Sequence, residues 1–193
     1  IGVTKKSAGE FYLGQFLIAN NLTLKDISIV DLPPSELISQ IEKGQIDAIV
    51  IFDPHAYNLQ KKLGKNVVVW SAEGDEDTFA LLYSTDAFIK SHPETIVRYL
   101  RAIIQAEQYV AKHSAASQTI LAKKRGYDLA YVRYMWSHFV FAHGLDQELL
   151  PKMENQARWV IQNGLTPQKV VPNYLEFIYF DGLETVKPGA VTI

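Results

Sequence analysis

Apolar and polar positions change rhythm near residue 84. Before it, short apolar runs of strand length alternate with segments of helical period. Residues 1–4 predict a strand and residues 5–9 a loop. Over residues 11–19, Phe11, Leu13, Phe16 and Leu17, with the small Gly14, take the sheet-facing positions of a helix, which Asn20-Asn21 ends. Residues 27–32 predict a second strand, broken by Pro33-Pro34. Ser35 is placed to cap a helix whose apolar face is Leu37, Ile38 and Ile41, and Gly44 stops it. Residues 46–52, apolar on both faces apart from Asp47, suit a buried central parallel strand. A helix over 56–63 ended by Gly64, a strand over 67–70, an acidic loop over 74–77 and a strand over 78–84 complete this part. The order β-α-β-α-β-α-β-β implies an α/β fold with a parallel sheet covered by helices.

After residue 84 the pattern is helical. Asp86 caps a short turn, and Pro93 stands where a first helical position is expected. The helix to about residue 112 carries Ile96, Val97, Leu100, Ile103, Ile104 and Val110 on one face. Ser114, Asp128 and Asp146 are expected to cap three more helices. Gly126 ends the first and Gly164 the last, with Pro151 in the last one's early turns. Pro172-Asn173 opens a final helical stretch to about residue 180. Tyr131, Tyr134, Trp136 and Phe139 read as core. The expected division is therefore 1–84, an α/β lobe, and 85–193, a helical segment.

Charge supports the division. The 193 residues carry a net charge of −2, but residues 1–84 hold seven Lys, no Arg and eleven acidic side chains, while the remainder is slightly basic. That balance gives no support for nucleic-acid binding. Cys is absent, which excludes disulfides, zinc-thiolate sites and a Cys nucleophile. No apolar run approaches the about 20 residues that span a bilayer. The chain begins at Ile1, without Met, inside a predicted strand, so it is expected to be a piece of a longer protein.

Catalytic motifs are missing. There is no nucleophile elbow, phosphate loop, dinucleotide glycine fingerprint or His-Glu-x-x-His. The five His are scattered, and His138 and His143 read as surface or core residues. No catalytic residue, metal site or cofactor is expected. Two loops follow strands at the sheet edge where open α/β folds bind ligands. In Lys5-Lys6-Ser7-Ala8-Gly9-Glu10, backbone N–H groups at a helix start, the Ser7 hydroxyl and the small Ala8 and Gly9 suit a polar or anionic small molecule. The same residues would also make a plain N-cap, with Ser7 or Glu10 satisfying free donors. In Phe52-Asp53-Pro54-His55, Asp53 would accept a ligand hydrogen bond or cap the next helix, and His55 would face the same crevice. Thr78 and Phe79 lie near that edge.

These segments resemble a known pattern. Ile1-Gly2-Val3, Ser7-Ala8-Gly9-Glu10, Leu32-Pro33-Pro34-Ser35-Glu36-Leu37, Gly44-Gln45-Ile46-Asp47-Ala48, Asp53-Pro54-His55 and Phe88-Ile89-Lys90-Ser91-His92-Pro93-Glu94, then Trp159, Gly164-Leu165 and Pro172-Asn173-Tyr174, are similar in order and spacing to type 2 periplasmic solute-binding proteins. The nitrate, sulfonate, taurine and thiamine-precursor group of ABC importers is nearest. The resemblance implies a type 2 periplasmic-binding-protein-like fold and a two-lobe clamp closing on one small polar, anionic or heteroaromatic molecule. It also implies a membrane permease as partner and a periplasmic or extracytoplasmic place, free or anchored as a lipoprotein. It implies that about a hundred residues of lobe one precede Ile1, that 1–84 is lobe two, and that 85–193 is the helical return into lobe one. Ser7, Ala8, Gly9, Glu10, Asp53, His55 and Thr78 are then the ligand-binding candidates. Without the preceding sheet, the apolar face of 85–193 is expected to be covered by a dimer partner or crystal neighbour, or the helices to rearrange onto lobe two. The chain departs from the family in having Phe52 where members often have Trp, and Lys6 where many have Gly. With no Arg in 1–84, a carboxylate or sulfonate would rely on N–H groups, Ser7, Lys5, Lys6 or the missing lobe. The alternatives are a pyrimidine-precursor synthase of the same fold, whose Cys-rich segment this chain lacks, and the ligand-sensing domain of a signalling protein.

Overall fold

Gly2 and Val3 form the first strand, β1, and pair in parallel with β2, Val30–Asp31. On its other side β1 meets a third extended segment: Gly2 N–H donates to Ala48 O at 2.8 Å and Val50 N–H donates to Gly2 O at 2.9 Å. Gly2 and Ile49 thus make a parallel bridge. The computed structural model describes residues 1–73 and 78–193; the acidic loop expected at 74–77 lies outside the described residues.

The parallel order is β2, β1, third segment, which makes β1 the centre. Residues 46–52 were expected there. The reason is visible in burial: Val3 is fully buried, whereas Ile49, Val50 and Ile51 are only partly covered. The expected ladder is also shorter. Among the described residues, 67–70 and 78–84 form no strand, and Val68, Trp70, Leu82 and Tyr83 are exposed. Alternation records a tendency to be extended, but a strand also needs a hydrogen-bonding neighbour.

The chain divides into two compact units, Ile1–Phe79 with Arg158–Lys169, and Ala80–Ala157 with Val170–Ile193. In the first unit, helix α1, Ala8–Ala19, lies on the sheet. Its Leu13 and Leu17 join Val3 in a core bordered by Ile1, Leu24, Ile27, Ile29 and Val50. Helix α2, Pro34–Glu42, buries Leu37. It begins at Pro33 without a side-chain cap, so Ser35 falls inside the first turn and does not cap it. Helix α3, His55–Leu63, buries Leu59 and ends at Gly64. Residues 158–169 contribute Trp159, which is buried and meets Phe11 edge-on, centroids 5.5 Å apart.

The second unit is helical. Helices α4 (Asp86–Ser91), α5 (Pro93–Lys112), α6 (Ser114–Arg125) and α7 (Leu129–Trp136) are followed by α8 (Leu149–Gln162), in which the division between the units falls, and by α9 (Asp181–Val186). Pro93 takes the first position of α5, and Ile104 is buried on the expected face. Thr85 caps α4 by accepting from Phe88 N–H at 3.2 Å, in place of the expected Asp86. Asp128 caps α7, but α6 starts after His113 with no side-chain cap from Ser114. The last stretch, expected to be helical from 172 to about 180, forms a 3-10 turn, Tyr174–Phe177, and α9 follows beyond it. The aromatic stripe is core only in part: Tyr131 is buried, while Tyr134 and Phe139 are about half exposed. Helical phase carries Tyr134 off the face that Tyr131, Val132 and Met135 share, and Phe139 follows the end of α7.

One polar cluster ties this unit. Glu107 Oε1 accepts from Lys187 Nζ at 2.6 Å, and its Oε2 accepts from His143 N–H at 2.9 Å and lies 3.2 Å from His143 Nδ1. Lys187 Nζ also donates to His143 O. Burial works to raise the Glu107 pKa, but the Lys187 ammonium and the His143 donors outweigh it and hold the carboxyl below its ordinary value. Beside it, Leu145 bridges Val191 in parallel.

Candidate functional site

The first candidate loop leaves the C-terminal end of β1. Thr4 Oγ1 donates to Leu32 O at 2.8 Å, and Lys5 N–H donates to Asp31 Oδ1 at 2.9 Å, so the loop is fastened to the end of β2. Lys6 then takes a left-handed conformation, φ 56°. Such a backbone costs a non-glycine residue about 1 kcal/mol or more. Glycine would be unstrained at this position.

Ser7 is the N-cap of α1. Its Oγ donates to Thr4 O at 2.6 Å and accepts from Gly9 N–H at 3.1 Å. Glu10 is 3% exposed, and its Oε2 accepts from Lys6 N–H at 2.6 Å. In a capping box the acidic residue at the third helical position reaches back to the cap residue's own N–H. Here it reaches one residue further. Among the described residues, no protein group accepts from the N–H of Ser7 or of Ala8. Ser7 and Ala8 are exposed, and Gly9 is partly covered. The capping reading holds for Ser7 Oγ, and two N–H donors at a positive helix end stay open.

The second loop leaves the third segment on the same side, because that segment runs parallel to β1 and beside it. Gly9 packs over the sheet between them, where a Cβ would stand 3.7 Å from Val50 Cγ1 and 3.5 Å from Val3 Cγ2. Asp53 Oδ1 accepts from Tyr57 N–H at 3.0 Å, tying the loop to the first turn of α3. Its carboxylate remains exposed, with a second oxygen to offer. The Asp53-Pro54 peptide is cis. His55 is the first residue of α3, and its ring meets the exposed ring of Phe52 edge-on, centroids 5.5 Å apart. Thr78 is exposed, and its Oγ1 lies 3.3 Å from Tyr12 OH, on the second turn of α1.

Asp31 and Tyr12 were missed by sequence reasoning. Asp31 carried a signal, since it ends the strand beside β1; Tyr12 carried none, because its partner is 66 residues away. Among the described residues no cluster of His, Asp and Glu has metal-binding geometry. The donors at hand are the N–H groups of Ser7 and Ala8, the Thr78 hydroxyl, the His55 imidazole and the ammonium groups of Lys5 and Lys6, while the Asp53 carboxylate is an acceptor. That set can hydrogen-bond a small polar or anionic molecule.

The fold is that of the type 2 periplasmic binding proteins. The chain superposes on the crystal structure of the periplasmic aliphatic sulphonate binding protein SsuA from Escherichia coli with a TM-score of 0.77, at 20% identity, over 92% of this chain and 61% of that one. The alkanesulfonate-binding protein SsuA from Xanthomonas axonopodis pv. citri, bound to MOPS, gives 0.71 at 22% identity, over 88% and 59%. In sequence, the Bacillus subtilis (strain 168) protein YtlA, named as a binding protein, is 25% identical over 120 residues, 61% of this chain and 35% of that protein. Residues 1–123 match the NMT1-like family, and the chain belongs to it. It spans about a third of the length of YtlA and about three fifths of the two solved chains.

Proposed function

We propose that this chain supplies a ligand-binding lobe of a solute-binding protein serving an ABC importer, and that the solute is a small anion of the sulfonate or nitrate kind. The carrying observation is the juxtaposition of two strand-to-helix loops on one sheet edge, with the open N–H groups of Ser7 and Ala8 on the first. Around them stand Ser7 Oγ, Gly9, Asp53, His55 and Thr78 as ligand neighbours, with Glu10 supporting the loop. The fold shared with two sulfonate-binding proteins supports the same reading. Residues 1–84, joined by 158–169, are the ligand-binding lobe, and the rest of 85–193 is the helical part of the other. The protein works outside the cytoplasmic membrane, delivers its solute to a permease, and performs no chemistry on it. No helix is long and apolar enough to cross a membrane among the described residues.

The test is a thermal-shift screen of the protein that carries this chain against ethanesulfonate, MOPS, nitrate, pyrimidines and flavins. A ligand at a hundred times its Kd adds about 2.7 kcal/mol. At about 2–4 °C per kcal/mol for a protein of this size, the midpoint should rise by about 5–10 °C. A rise with a sulfonate or nitrate supports the proposal. A rise only with pyrimidines or flavins moves the solute class. No rise with any of them contradicts it.

A further inference from the structure

We infer that Glu10 is a positioning residue for the anion site, acting by holding the loop through Lys6 N–H rather than through Ser7 N–H, so that Ser7 N–H is left for the ligand. The inference rests on the functional reading above and adds a role to it. Glu10 is a buried carboxylate in the first turn of α1, where an acidic side chain opposite the helix start is electrostatically favoured. The ordinary partner of such a side chain is the N–H of the cap residue. If Glu10 took it, Ser7 N–H would be consumed inside the protein. Instead Oε2 reaches Lys6 N–H at 2.6 Å, a charge-assisted bond to a residue in a left-handed conformation.

The two features require each other. The left-handed turn at Lys6 brings its N–H within reach of residue 10, and the carboxylate offsets the cost of that turn in a residue with a Cβ. Lys5 N–H is held in the same manner by Asp31 from the neighbouring strand. Two carboxylates thus close the donors that precede Ser7, while Ser7 Oγ closes Gly9 N–H, and the donors of Ser7 and Ala8 lie open between them. The chain-length requirement is strict. Gln keeps the reach and an acceptor oxygen, whereas Asp keeps the charge but is one methylene short.

Two measurements on the protein that carries this chain test the assignment. The first, independent of any ligand, is hydrogen exchange of Lys6 N–H by NMR. Exchange should quicken by about tenfold in Glu10→Asp and by much less in Glu10→Gln, in line with loss of one bond to a charged acceptor. The second is calorimetric titration with MOPS and with ethanesulfonate. Affinity should fall by about tenfold in Glu10→Asp and by less than about threefold in Glu10→Gln. In a Lys6→Gly background, where the left-handed turn needs no clamp, Glu10→Asp should cost less than about twofold relative to Lys6→Gly alone. Unchanged Lys6 exchange in Glu10→Asp overturns the inference. So does an equal affinity loss in both backgrounds, or a larger loss in Gln than in Asp, which would mark the charge as what matters. If neither sulfonate binds the wild type, the sulfonate reading fails, and the exchange result alone decides what Glu10 does.

Discussion

Gly14 sets the distance between α1 and Trp159, and replacing it by Ala tests that packing. Ala in a helix interior is favoured over Gly by about 1 kcal/mol, so on propensity alone Gly14→Ala should stabilise. The site forbids it. A Cβ on Gly14 would stand 2.5 Å from Trp159 Cζ2 and 2.7 Å from both Cε2 and Nε1. Carbon contacts settle near 3.5–4.0 Å, so the indole would have to retreat by about 1 Å. Trp159 is 6% exposed and is held edge-on by Phe11. Overpacking of this kind costs about 1–3 kcal/mol. With overlap at three atoms the upper part of that range applies, and after the propensity gain the net loss should be about 1–2 kcal/mol. Urea denaturation followed by circular dichroism measures it. The companion variant Trp159→Phe removes the colliding ring atoms, and in that background Gly14→Ala should be neutral or stabilising. Stabilisation by Gly14→Ala in the wild type, or equal loss in both backgrounds, would refute the reasoning.

Other expectations follow from single contacts. Ser7→Ala removes the cap of α1 and should cost about 1 kcal/mol in denaturant unfolding, whereas Asp53→Asn, which keeps an acceptor for Tyr57 N–H, should cost under about 0.5 kcal/mol. Tyr12→Phe loses only an exposed 3.3 Å contact to Thr78, so stability should stay within about 0.5 kcal/mol. Glu107→Gln takes the charge partner from Lys187 and should cost about 1–2 kcal/mol near neutral pH. Because the folded-state pKa of Glu107 lies below its ordinary value of 4.5, its contribution is present above that value and is lost as pH falls through the folded one. The gap between wild type and Glu107→Gln should therefore narrow in acid; a gap that widens in acid contradicts the cluster's geometry.

Much of the fold was legible because its signals are local. The bounds of α5, the cap of α7 by Asp128 and the stops at Gly126 and Gly164 depend on residues a few positions apart. Sheet order was not. Residues 46–52 are more uniformly apolar than 1–4, yet Val3 is the buried centre, because position in a sheet is decided by which segments flank a strand. The missing ladder at 67–70 and 78–84 has the same origin, since pairing is non-local. At the site, Ser7 and Asp53 could be read as caps or as ligand groups, and the geometry gives both a capping bond. The reach of Glu10 past Ser7 to Lys6 was not readable, because a capping-box spacing does not say which of two successive N–H groups the carboxylate takes.

The proposed site holds a small anion at the two-loop edge around Ser7 and Asp53. Its most direct test is calorimetric titration of the protein that carries this chain with ethanesulfonate, in the wild type and in Ser7→Ala. Saturable binding of one ethanesulfonate per protein, weakened by about tenfold in Ser7→Ala, is the predicted result. No binding, or binding of unchanged affinity in Ser7→Ala, would contradict it.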